Sequence, residues 1–261
     1  MKHIPRKRFG QNFLTDQSVL GNIIRAIDPK PSDLMVEIGP GLGAMTRLLV
    51  SALGHMHAVE VDRDLAKHLE KTFDPQKLSV HQYDALQFDF SGLLSGQDKK
   101  LRVVGNLPYN ISSPLLFHLT QFVSHIQDQH FMLQKEVVER MVAEPGSKAY
   151  GRLSVMLQWR YHMELLFIVP PEAFDPPPKV ESAIVRMIPL AQPLPCDGAV
   201  LEQVVTKAFS QRRKVIRNCL SGMFTENELR EAGVDPQVRP ETVPLEQYVA
   251  LARRLTERPH R

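Results

Sequence analysis

Val36-Glu37-Ile38-Gly39-Pro40-Gly41-Leu42-Gly43 runs from a strand-like apolar stretch straight into a glycine loop. Residues 34–38 read as a buried strand. Glycines at 39, 41 and 43 let the backbone turn sharply and let a ligand approach without interference from a Cβ. A helix over 44–53 follows. Outward from this point, strands are expected over 56–61, 78–82, 101–105 and 131–134, and helices over 64–73, 114–122 and 135–142. Upstream, Thr15 or Asp16 caps a helix reaching about Ile27, with Val19, Leu20, Ile23, Ile24 and Ile27 at helical spacing. Strands over 163–169 and 183–188 close the series, parted by a stiff proline-rich loop over 170–178 that cannot lie inside a sheet. The alternation predicts an α/β fold: a Rossmann-like parallel sheet with helices on both faces.

A compositional break falls at Pro189-Leu190-Ala191-Gln192-Pro193-Leu194-Pro195, and strand signals stop beyond it. Helices are expected over 201–209, 214–223, 226–232 and 245–255, which predicts a catalytic domain over 1–190 and a small all-helical domain over 191–261. The 261 residues are 43% hydrophobic and 23% charged, an ordinary soluble composition. No apolar run approaches the roughly 18 residues of a membrane span, and the basic amino terminus is not followed by a signal core. Cys196 and Cys219 stand in no metal or redox spacing, and the histidines are scattered, so neither a disulfide nor a metal site is expected. A cytoplasmic monomer is the simplest expectation. The net charge of +3 is mild but unevenly spread. Lys2, Arg6, Lys7, Arg8 and Arg25 face one acid in the first stretch, and Lys207, Arg212, Arg213, Lys214 and Arg217 face none in the last. Two blocks of one sign fit a polyanionic partner; solvated helix faces are the plainer alternative.

The glycine string also fits the dinucleotide fingerprint through Ala44. The second strand ends in Val59-Glu60-Val61-Asp62, where an acid can accept hydrogen bonds from both ribose hydroxyls, a feature that NAD enzymes and methyltransferases share. Two residues separate them. Glu37 stands where a pyrophosphate would be repelled but a cationic sulfonium tolerated or helped. Tyr83-Asp84-Ala85 ends the third strand, where a carboxylate can accept from an adenine amino group. This order favours S-adenosylmethionine.

The fourth strand closes on Asn106-Leu107-Pro108-Tyr109, at the carboxyl end where open α/β sheets place their chemistry. Carbonyl oxygens and an exposed ring suit a planar amino group on a base; taken alone, the four residues could be a loop with a half-buried tyrosine. With the preceding motifs they resemble the small-subunit ribosomal RNA adenine dimethyltransferases, whose sheet is the Rossmann-like class I methyltransferase sheet. The resemblance is carried by Lys7-Arg8-Phe9-Gly10-Gln11-Asn12-Phe13-Leu14, the glycine loop, Glu60 to Asp62, Asp84-Ala85, the stretch from Gly105 to Ser112, Phe174-Asp175-Pro176-Pro177-Pro178-Lys179-Val180 and Phe209-Ser210-Gln211-Arg212-Arg213-Lys214. It implies S-adenosylmethionine contacts from Asn12, Leu14, Gly39, Gly41, Glu60, Asp84, Ala85 and Asn106, with Gln11 lining the same pocket and residues 11–14 acting as a flap.

The implied substrate is a pair of adjacent adenines near the 3′ end of small-subunit rRNA, within RNA or a pre-small ribosomal subunit. Asn106 and the Leu107 carbonyl would accept from the adenine N6 hydrogens, Pro108 would fix the corner, and Tyr109 and Phe174 would stack on the two faces of the base. Arg212, Arg213, Lys214 and Arg217, on a carboxyl-terminal helix, would hold rRNA phosphates. The rival readings are a large-subunit rRNA adenine methylase of the macrolide-resistance type, and a non-catalytic RNA-binding assembly or transcription factor, in which Glu60, Asp84 or Asn106 should have decayed. All three stand intact.

Overall fold

The computed structural model describes residues 12–94, 96, 99–211 and 213–258. A short strand β1 (Phe13–Leu14) leads into α1 (Gln17–Ile27). Asp16 caps this helix by accepting the N–H groups of Ser18 and Val19, and Leu20, Ile23 and Ile27 form its buried stripe. Next come β2 (Leu34–Ile38), α2 (Ala44–Ala52), β3 (Met56–Glu60), α3 (Arg63–Thr72) and β4 (Leu78–Gln82), all within one residue of expectation. The chain continues through β5 (Leu101–Asn106), α4 (Ser112–Leu119), β6 (Ile126–Gln134), α5 (Lys135–Met141) and α6 (Arg152–Gln158). β7 (Tyr161–Val169), a two-residue β8 (Phe174–Asp175) and β9 (Ser182–Pro189) complete the strands.

Seven strands form one sheet in the order β4-β3-β2-β5-β6-β9-β7. The pairs from β4 through β6 are parallel, and β9 runs antiparallel to β6. All five residues of β2 are buried, so both faces of the sheet are covered there. On one face Leu20 and Ile23 of α1, Met45 and Leu49 of α2, and Met35, Val104, Met132 and Ile184 of the sheet share one apolar cluster. The strand order reverses between the parallel neighbours β2 and β5, and a crevice opens at the carboxyl ends of strands at such a reversal. Gly105 keeps the two strands close, since a Cβ there would lie 2.5 Å from the Ile38 carbonyl oxygen.

At the opposite end of the sheet Arg102, 6% exposed, is held by five bonds or more. It meets Asp33 at 2.6 Å and Asp128 at 2.9 Å and donates to the carbonyls of Ile27 and Asp28. This arginine explains why β6 begins at Ile126, five residues before the expected strand: Gln127 to His130 read as a polar loop, yet Asp128 is drawn in as the partner of Arg102.

The chain divides into two compact units, one comprising the chain to Val138 with Met163–Pro189, the other Glu139–His162 with Leu190 onward. One cut lies at Pro189; the other two fall where the sequence reading placed none. The second unit contains α6, α7 (Gly198–Phe209), α8 (Ile216–Cys219), α9 (Glu226–Glu231) and α10 (Leu245–Thr256). α7 packs on α6 and α10. Phe209 stacks between the buried Tyr150 and Tyr248, with ring centroids 6.4 and 5.8 Å away. Trp159 donates its indole N–H to the Leu194 carbonyl at 2.7 Å, and Arg160 stacks over its ring. The helix expected over 214–223 is reduced to α8, and Ser210, Gln211 and Arg213 lie in turns.

Candidate active site

Gly39, Gly41 and Gly43 all have positive φ, at 66°, 59° and 83°. Other residues adopt that region only with strain. The loop is also crowded: a Cβ on Gly41 would lie 3.0 Å from the Phe13 ring and one on Gly43 2.9 Å from Phe73. Glu60, at the end of β3, accepts the N–H of Gly41 at 3.2 Å and that of Asp62 at 2.9 Å. Burial raises its carboxyl above the usual range, and these N–H groups pull it back down. Glu37 is 2% exposed and accepts the Thr46 hydroxyl at 2.6 Å. Its pKa is raised to about 7, by burial first, with the charge of Glu60 adding and Thr46 opposing. Glu37 is therefore tied to α2 through Thr46, and its raised pKa weakens the attraction it could offer a sulfonium.

Across the crevice, Leu107 donates its N–H to the Met132 carbonyl at 3.1 Å, while the Pro108 carbonyl accepts from Ser112 and Ile111. Asn106 donates its side-chain N–H to the Asn12 carbonyl at 3.1 Å. That contact turns the amide oxygen away from residue 12. Tyr109, half-buried, shares a 2.7 Å hydrogen bond with the Ser182 hydroxyl, and burial raises its phenol above the ordinary value. Asn12 and Leu14 belong to a segment tied down by β1, whose Phe13 and Leu14 pair with Asp175 and Phe174 of β8. Thr15 and Asp16 both donate backbone N–H groups to the Ala173 carbonyl.

Phe174 is 3% exposed and lies in the apolar cluster with Leu14, Ala173 and Ile184, away from the cavity wall in this structure. A ring in a proline-rich loop reads as exposed, but the β1–β8 ladder turns it into the core.

The cavity, about 460 Å³, lies at the carboxyl ends of β2, β3, β4 and β5. It is lined by Asn12, Leu14, Gly39, Gly41, Glu37, Glu60, Asp84, Ala85 and the whole of Asn106-Leu107-Pro108-Tyr109. Asp84 accepts the N–H of Leu86 at 2.9 Å, which fixes its carboxylate at the end of β4. The sequence reading missed Leu42, Val61 and Tyr83, exposed by 40, 45 and 51% on this wall. The signal for Val61 and Tyr83 was available, since each stands directly beside a strand-end acid, Glu60 or Asp84, and suits the flat face of a nucleobase. It also missed His130, 4% exposed with neither ring nitrogen hydrogen-bonded among the described residues, its pKa lowered by burial to about 4.

Residues 2–257 match the family described as ribosomal RNA adenine dimethylase. The chain belongs to that family. It is 77% identical over 98% of its length to the whole of ribosomal RNA small subunit methyltransferase A of Janthinobacterium sp. (strain Marseille), and 76% to its counterpart in Herminiimonas arsenicoxydans, over the same shares. A dimethyladenosine transferase from Plasmodium falciparum shares the fold, with a TM-score of 0.79 at 24% identity, covering 92% of this chain and 95% of that one. The 23S rRNA methyltransferase ErmE aligns with a TM-score of 0.72 at 27% identity, covering 94% of this chain and all of that one.

In this adenine dimethylase the expected basic residues are divided: Arg213 and Lys214 lie between α7 and α8, and Arg217 lies on α8. Arg213 and Lys214 are exposed there. Arg217 is committed to Glu226 at 2.8 Å, which lowers its value as a phosphate ligand. Arg212 and Gln11 lie outside the described residues. Among the described residues no cluster of metal-ligating side chains occurs, and no helix is long and apolar enough to cross a membrane.

Proposed function

We propose that the protein transfers methyl groups from S-adenosylmethionine to N6 of two adjacent adenines near the 3′ end of small-subunit rRNA. The observation that carries this reading is the Asn106 to Tyr109 corner, standing at the strand-order reversal opposite a glycine loop with a buried acid behind it. The cofactor residues fit: positive-φ glycines leave room for a nucleoside, Glu60 suits ribose hydroxyls, and Asp84 suits an adenine amino group. Asn12, Leu14, Gly39, Gly41, Ala85 and Asn106 would complete that set. S-adenosylmethionine, when bound, supplies an electrophilic methyl group on a sulfonium.

The chain's own task is to present a poor nucleophile, because the adenine amino lone pair is delocalised into the ring. Asn106 Oδ1 and the Leu107 carbonyl accept the N6 hydrogens and draw that nitrogen toward tetrahedral geometry. Tyr109 stacks on the flipped base and offsets part of the unstacking cost. Asn106 and Leu107 would so present N6 to the bound methyl donor, which would give up its methyl group and keep the bonding pair on sulfur, and the amine would release its proton to water. No general base is required, so positioning and electrostatics do the work.

The second, helical unit is assigned to rRNA, with Arg212, Arg213 and Lys214 toward phosphates. The unpaired thiols of Cys196 and Cys219 suit a reducing cytoplasm, where the protein would act as a monomer on pre-small subunits. Relatives named for small-subunit methylation favour that target over the large subunit. Intact Glu60, Asp84 and Asn106 favour an enzyme over a purely binding factor.

The test is incubation with labelled S-adenosylmethionine and unmethylated small subunits, followed by mapping of the label. Two adjacent dimethylated adenines near the rRNA 3′ end are expected. Label in large-subunit rRNA, or none, would overturn the assignment.

A further inference from the structure

Ser182 is fully buried at the start of β9, paired with Gln134 of β6, and its hydroxyl lies 2.7 Å from that of Tyr109. The main-chain end of Tyr109 is already fixed by the corner, where the Pro108 carbonyl accepts from the Ser112 hydroxyl at 3.0 Å and the Ile111 N–H at 3.2 Å. Ser182 fixes the far end. A ring held at both ends has a fixed axis and cannot swing out of the site. Phe174 is buried in the core, so orienting the base falls to Tyr109.

The same segment holds the other half of the corner. At its beginning, Phe174 and Asp175 pair with Leu14 and Phe13, and the adjoining Asn12 carbonyl takes the Asn106 amide. At its end, Ser182 takes the Tyr109 hydroxyl. Pro176, Pro177 and Pro178 stiffen the stretch between these two fastenings.

We propose that Ser182 is a positioning residue for methyl transfer, its hydroxyl fixing the position and axis of the Tyr109 ring on which the target adenine stacks. This rests on the methyltransferase reading above. Ser182 touches no substrate; it acts through Tyr109.

A double-mutant cycle on kcat tests it, with Ser182→Ala, Tyr109→Phe and the two combined, at saturating S-adenosylmethionine. Each single change is expected to lower kcat by about tenfold, the worth of one hydrogen bond, and the double change no further. Cofactor affinity should not move. Losses that multiply, or a Ser182→Ala enzyme with wild-type kcat, overturn the proposal. A second reading needs no turnover: in protein labelled with 3-fluorotyrosine, the Tyr109 fluorine signal, assigned by its loss in Tyr109→Phe, should shift in Ser182→Ala. An unmoved signal counts against the clamp. Should Ser182→Ala fail to fold, Ser182→Cys, a weaker donor of similar size, replaces it in both measurements. Wild-type protein that methylates no RNA sinks the proposed function, whereas a normal Ser182 variant in an active enzyme sinks only this inference.

Discussion

Asn106 donates to the Asn12 carbonyl at 3.1 Å, and this single bond decides which way the amide faces. With the nitrogen spent on residue 12, the oxygen is the end left for the substrate. Asn106→Ala should therefore lower kcat by about 10²–10³, the usual loss when one preorganised polar group is removed from a site. Asn106→Asp should do no better, because a carboxylate cannot donate to Asn12. Initial rates of label incorporation check both. A rate within threefold of wild type for Asn106→Ala would remove the amide from the mechanism.

Arg102→Met should destabilise the fold by about 2–4 kcal/mol, since it strands the part-buried carboxylates of Asp33 and Asp128 and the carbonyls of Ile27 and Asp28. The site lies at the other end of the sheet, so kcat at low temperature should hold while the urea midpoint falls. A midpoint equal to wild type would show that the three charges contribute nothing net.

Replacing Arg213 and Lys214 with Glu should weaken RNA binding, leave cofactor affinity unchanged, and make the plot of log affinity against log salt shallower by about two phosphate contacts. Both side chains are exposed. Filter binding at several salt concentrations reads the slope, and equal loss of cofactor binding would mean that the turn is structural.

The pH dependence of stability carries two opposed contributions. Glu37 is raised to about 7, so in the folded chain it holds a proton that the unfolded chain has lost above about pH 4.5. Its stabilising contribution is complete below the unfolded value and is lost as pH rises through 7. His130 is lowered to about 4, so its contribution is present above the unfolded value near 6.5 and is lost as pH falls toward 4. The two offset one another between about pH 4.5 and 6.5. Glu37→Gln removes the first contribution alone. Relative to wild type, its unfolding free energy should worsen on acidification from pH 7 by about 1.4 kcal/mol per unit. Parallel urea curves for the two proteins across this range would mean that Glu37 titrates normally.

Features built from neighbours in sequence were legible. The glycine loop, the strand-end acids Glu60 and Asp84, and the Asn106 to Tyr109 corner announce themselves by spacing, and the sheet follows from their alternation with helices. What failed depended on distant partners. Asp128 and His130 read as loop because Arg102, which draws Asp128 into a strand, lies in β5. Phe174 read as a stacking ring because nothing beside it signals the pairing with Leu14. Ser182 has no signature at all, since a serine gains meaning only from the hydroxyl it meets. The segment around α6 was passed over because its membership of the second unit depends on packing against α7, which lies some forty residues further on.

The order β6-β9-β7 sets a timetable for the nascent chain. β7 is made before β9 yet lies outside it, so the sheet cannot close until Pro189 has left the ribosome. At roughly 5–20 residues per second, β6 waits with one edge open from the moment it emerges until β9 arrives. Met132, whose carbonyl anchors Leu107 on the β5 side, belongs to that strand. An unpaired edge is where wrong strand pairing begins, and a ribosome-modifying fold is thus most vulnerable while still attached to a ribosome.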